Sequence, residues 1–241
     1  MQDQVKEGKS YPLCHEIRQQ PNVLLSALQD GIFDRLPVNR ILAAIRSAQA
    51  RTGTERGNFW WYLEDGKVTD TNSGFFTTMP LLLLRLEHAD RFDADGRRLL
   101  DEMLADARIY FDAVLQKPEW RYPNKCIGDL VCAWLLHQIG GAVPDRVVEL
   151  HREGVRYYRD QDWGWAEHLS DMYSKVILDE LSLLLLSGTG LPDDVRDGWD
   201  GLLRELLAID ARYAGGPRVP ALRSYCLDFS PQTPATTPEW Q

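Results

Sequence analysis

Residues 160–187 read DQDWGWAEHLSDMYSKVILDELSLLLLS. The second half, from Val176 to Ser187, is apolar on nearly every side, which is the pattern of a helix buried all round rather than one lying on a surface. The first half gathers Trp163, Trp165, Glu167, His168, Ser170, Asp171 and Tyr173. A buried helix with a polar, aromatic entry predicts a helical core and makes that entry the first place to look for a site.

The 241 residues suffice for one large domain with a substantial core. A net charge of −9 disfavours nucleic acid and anionic membranes as partners, because few basic residues are left to neutralise phosphates or headgroups. The N-terminal stretch MQDQVKEGKSYPLCHEIRQQ has no apolar signal region, and no apolar run is long enough to span a bilayer. A cytoplasmic location is therefore expected, with Cys14, Cys126, Cys132 and Cys226 as thiols, since they show neither a CxxC pair nor zinc-finger spacing.

Working outward, apolar residues recurring at three and four predict helices over Asn22–Leu36, stopped by Pro37, and from Pro37 to the Thr52-Gly53-Thr54 break. Further helices are expected over Phe75–Ala89, Ala94–Gln116, Asn124–Ile139, from Pro144 to Arg159, and from Pro192 to Gly215. Between them lies GNFWWYLEDGKVTDTNSG, residues 57–74, a long connection too aromatic to be a solvated loop. Its Glu64-Asp65-Gly66-Lys67 turn suits a junction of two short strands. Residues 1–20 read as an arm, 21–216 as the helical domain, and 217–241 as a Pro-rich tail packing on it. The expected class is all-α: about eight helices in antiparallel αα-hairpins, forming an incomplete α/α toroid with its richer loops at one end. No fixed-period repeat supports a solenoid of the known repeat types.

The aromatic residues Trp60, Trp61, Tyr62, Trp120, Tyr122, Trp163 and Trp165 sit in connections. Flat rings there would line a groove for sugar rings or another flat, apolar ligand; the plainer alternative is that they pack over the ends of the core. At the helix entry, Glu167, Ser170 and Tyr173 share a slowly rotating stripe while His168 lies nearly opposite Ser170, so no nucleophilic triad is implied. Asp193, Asp194 and Asp197 spell DDxxD, a magnesium motif in isoprenoid and terpene enzymes. They also follow Pro192, where acidic residues favour a helix N-terminus. The five histidines show no paired ligand spacing and no phosphate-binding loop is present, so neither a metal nor another cofactor is expected.

Two segments carry a resemblance. Glu167-His168-Leu169-Ser170-Asp171-Met172-Tyr173, ahead of its apolar helix, resembles the E-x-x-S-x-x-Y helix of heparinase II/III-like polysaccharide lyases and their α/α-toroid relatives; Tyr122-Pro123-Asn124-Lys125-Cys126-Ile127-Gly128-Asp129 looks like their N-x-x-x-I-G entry. The likeness covers about forty residues. It implies β-elimination on a uronate-containing polysaccharide: Asn124, with Arg223, neutralises the uronate carboxylate, Tyr173 or His168 takes the C5 proton, and Trp60, Trp61, Asn72, Trp163, Trp165 and Glu167 line sugar subsites. The alternatives are a non-catalytic domain binding a glycan or a protein, and a metal-dependent isoprenoid enzyme built on the three aspartates.

Overall fold

The computed structural model describes residues 4–6, 9–11, 15–160 and 171–213, and these form an all-α protein preceded by one short hairpin. Strands β1 (Gln4–Lys6) and β2 (Lys9–Tyr11) pair antiparallel. Eight helices follow among the described residues: α1 (Gln19–Gln29), α2 (Val38–Ser47), α3 (Ser73–Glu87), α4 (Ala94–Val114), α5 (Pro123–Ile139), α6 (Asp145–Asp160), α7 (Asp171–Ser187) and α8 (Asp193–Tyr213).

Local chemistry sets several of these boundaries. Asp93 caps α4 by accepting from the Gly96 N–H at 2.8 Å, and Asn39 from α2 holds the same carboxylate at 2.9 Å. Pro123 opens α5, where its missing N–H costs nothing. The first helix is shorter than the expected Asn22–Leu36: it closes at Gln29, Gly31 takes a φ of +67°, and Phe33–Arg35 form a separate 3₁₀ turn. The strands expected about Glu64–Lys67 do not form. Leu63–Asp65 make a 3₁₀ turn instead, with the Tyr62 N–H donating to Asp65 at 3.1 Å and Gly66 at φ +67°.

Helix α5 is the axis: thirteen of its seventeen residues are buried, and α3, α4, α6 and α7 all pack on it. Gly128 makes this close approach possible, since a Cβ there would lie 2.7 Å from the Phe75 ring and 2.8 Å from the Glu180 carboxylate. Phe75, Gly128 and Glu180 thus define one level of α3, α5 and α7. A second level lies toward their C-terminal ends, where Gln138 donates to the Ser187 carbonyl at 3.0 Å and Ser187 meets Glu87 at 3.5 Å. The order of the two levels is the same in all three helices, so α3, α5 and α7 run parallel.

Helix α1 joins them at the same end. The Ile17 N–H donates to the Trp61 carbonyl at 3.0 Å, and the Arg18 guanidinium lies 4.4 Å from the Trp61 ring and 5.3 Å from that of Phe76. The even-numbered helices return behind this layer, α2 against α4 and α6 against α8. Chain direction therefore sorts the connections: those leading into α1, α3, α5 and α7 gather at one end, here called the entry end.

The long connection before α3 is pinned to α4 by backbone contact. Gly57 has a φ of +95°, and a Cβ there would overlap the Asp106 carbonyl oxygen. Gln49 donates to both the Gly57 and Met103 carbonyls at 2.9 Å. This anchor buries Phe59 completely and fixes where Trp60 and Trp61 emerge.

Candidate functional site at the entry end

Five of the residues given a catalytic or sugar-binding role in the sequence reach the entry end. Asn124 is the second residue of α5 and Tyr173 the third of α7, neighbouring parallel helices. Trp60, Trp61 and Asn72 belong to the connection before α3. Asn124 is buried, at 3 % exposure, and Tyr173 is half-buried.

The rings are less free than a ligand platform would be. Trp60 is half-buried against the core, and its backbone N–H donates to the Ala48 carbonyl at 2.8 Å. Trp61 sets its ring edge-on to Phe76 at 5.9 Å between centroids, with Arg18 on it. Trp120 stacks on Tyr157 at 6.1 Å, and its carbonyl accepts from the Tyr158 hydroxyl at 3.0 Å, so it packs the base of the end. Asn72 turns its backbone N–H to the Asp70 carboxylate at 3.0 Å. Trp163, Trp165, Glu167, His168 and Arg223 lie outside the described residues.

A second feature of this end was not singled out in the sequence. Lys125 and Asp129, one turn apart on α5, form an ion pair of 2.6 Å within the helix that is otherwise the core. Burial raises the Asp129 carboxyl to about 6 against the opposing pull of Lys125. Oδ2 takes the lysine; Oδ1 is buried and has no hydrogen-bond partner among the described residues. The pair lies at the wall of a cleft of about 360 Å³ that also includes Glu55, Thr71, Tyr110 and Glu119. The Tyr110 hydroxyl donates to the Thr71 carbonyl at 3.3 Å. The sequence does carry a signal for this pair: a K-x-x-x-D spacing that runs directly into the unbroken apolar stretch from Leu130 to Leu136.

Between α1, α3 and α7 runs a groove of about 430 Å³, walled by Leu25, Phe76, Met79, Leu83, Val176 and Leu183. Among the described residues Asp179 is the one ionisable group on its wall, and burial raises its carboxyl above the ordinary range.

Other candidates resolve into structural roles. His151 is fully buried: Trp199 donates its indole N–H to Nδ1 at 3.0 Å, and Nε2 meets the Leu130 carbonyl at 3.1 Å. That partner set specifies the neutral tautomer with its proton on Nε2, and burial lowers the imidazole to about 4. Cys126 and Cys132 are buried thiols whose ionisation burial opposes. Of the DDxxD residues, Asp193 and Asp194 occupy the first turn of α8, and Asp194 takes Arg152 at 2.6 Å. Among the described residues no three His, Cys, Asp or Glu side chains gather as a metal site, and no helix is long and apolar enough to cross a membrane.

No family model matches the chain, and neither a curated protein nor a solved structure does.

Proposed function

We propose that the protein acts on a carbohydrate at its entry end, most concretely as a lyase that cleaves an acidic, uronate-containing polysaccharide by β-elimination. The observation that carries this reading is the parallel course of α3, α5 and α7, which brings Asn124 and Tyr173 to the heads of adjacent helices beside an aromatic connection. In the proposed reaction Asn124 hydrogen-bonds the uronate carboxylate and makes the C5 proton more acidic. Tyr173 in its deprotonated form takes that proton, the electron pair forms the C4–C5 double bond, and the C4–O bond breaks as its oxygen receives the proton back from Tyr173.

The test is to incubate the protein with uronate polymers and follow the near-ultraviolet absorbance of the unsaturated product. Activity should appear with at least one polymer and be lost in Tyr173→Phe while the variant stays folded. Product formed at an undiminished rate by Tyr173→Phe overturns the assignment.

The burial of Asn124 favours a second reading, in which the same end binds a glycan without cleaving it. Saturable, glycan-dependent change in tryptophan fluorescence with no product distinguishes it from the first.

A further inference from the structure

The ion pair of Lys125 and Asp129 leaves an anomaly. A carboxylate oxygen that is buried and unpartnered is costly, because its water has been removed and nothing replaces it. Asp129 is only 5 % exposed, its Oδ1 accepts no hydrogen bond from the described residues, and the residue forms part of the wall of the 360 Å³ cleft. The volume suits a single small-molecule ring.

The charges around the cleft select the kind of ligand. Lys125 already neutralises Asp129 at 2.6 Å, so a cationic ligand would bring a second positive charge against the Lys125 ammonium with no anion left to balance it. An anionic ligand would meet Asp129 together with Glu55 and Glu119 on the same walls. What remains is a neutral molecule that donates one hydrogen bond and accepts another at adjacent positions. Val114, Leu115 and Pro118 supply an apolar side to the cleft, against which the C–H face of a pyranose would lie.

We propose that this cleft is a subsite for a neutral sugar, held through two vicinal hydroxyls, one donating to Asp129 Oδ1 and the next accepting from Lys125. The inference rests on the carbohydrate reading above and deepens it, assigning a neutral unit to α5 and α4 where the elimination site takes a uronate. Thr71 and Glu119 place the cleft at the entry end, on the connections leading into α3 and α5.

Saturation-transfer NMR titrations with methyl α-mannopyranoside, methyl β-galactopyranoside and glucuronate test it. At least one neutral glycoside should bind saturably, and glucuronate about tenfold more weakly or not at all. Asp129→Asn should weaken the neutral ligand about tenfold, and Glu119→Gln, on the rim, should narrow the discrimination against glucuronate. Tyr173→Phe should leave neutral binding unchanged, so loss of the elimination reading and loss of the subsite register separately. If neither glycoside binds, or if Asp129→Asn and Glu119→Gln melt normally and change nothing, the orphan oxygen holds an internal water only and the proposal is overturned. Should Asp129→Asn fail to fold, the Glu119→Gln result decides alone.

Discussion

Two of the buried titratable groups in or against the central helix are built differently. His151 reaches α5 from α6, and both its ring nitrogens are matched, one by Trp199 and one by the Leu130 carbonyl. Asp129, on α5 itself, has one oxygen matched and one not. A buried polar group with every partner present is part of the scaffold; one left half-matched beside a cleft is where a ligand has something to offer. The contrast separates the packed outer layer of α6 and α8 from the entry end, and mutations sharpen it.

The largest effect is expected at the matched group. His151→Ala removes a buried ring and strands both the Trp199 N–H and the Leu130 carbonyl, which should cost about 4 kcal/mol in chemical denaturation. Asp129→Asn at neutral pH should change stability by no more than about 1 kcal/mol, since Lys125 is 17 % exposed and can turn to water, and losing its attraction is offset by no longer burying a carboxylate. Equal losses at the two positions would erase the distinction.

Acid pH pulls the two groups in opposite directions. His151 titrates near 4 when folded, against 6.5 ordinarily; between those values the unfolded chain holds the extra proton, so its contribution is lost as pH falls. Asp129 titrates near 6 when folded, against 3.8; between those values the folded chain holds the extra proton, so its contribution to stability grows as pH falls. A tenfold difference in proton affinity between the folded and unfolded chain corresponds to about 1.4 kcal/mol. Acidified from pH 6.5 to 4.5, the Asp129→Asn variant should therefore lose about 2 kcal/mol more stability than the parent. Parallel pH curves for the two proteins would show that Asp129 is not the buried acid described here.

The smallest stability effect is expected at Tyr173, half-buried at the head of α7. Tyr173→Phe should shift stability by less than about 1 kcal/mol while abolishing elimination. A loss of several kcal/mol with no change in any glycan response would make Tyr173 a packing residue.

These contrasts also mark what could be read from the chain. The position of the central helix was legible, since Asn124–Ile139 was expected and Pro123–Ile139 is that helix, but the burial on every side expected of Val176–Ser187 belongs to α5 instead: α7 leaves Leu186 86 % exposed. The boundary of α1 was not, because the apolar period continues through Ile32 and Phe33 while Gly31 breaks the helix ahead of them. Lys125 and Asp129 hid behind a spacing that on most helices marks a solvated surface pair; only the flanking residues reveal that this one is enclosed. The groove of α1, α3 and α7 could not be read at all, since its walls come from segments as much as a hundred residues and more apart. The entry end was partly legible. Aromatic residues in connections pointed to it, but Trp120 stacked on Tyr157 and Trp60 docked on the core show that some of those rings hold the fold.

The central claim is that one end of the parallel helices carries the site. Hydrogen–deuterium exchange on the intact protein, with and without tetrasaccharides from uronate polymers, tests it most directly. The account predicts slowed exchange in residues 57–72, 117–125 and 171–176 together, with α8 and the C-terminal ends of α3 and α5 unchanged. Protection confined to the C-terminal ends of these helices, or spread over the outer layer with the entry segments unaffected, contradicts it.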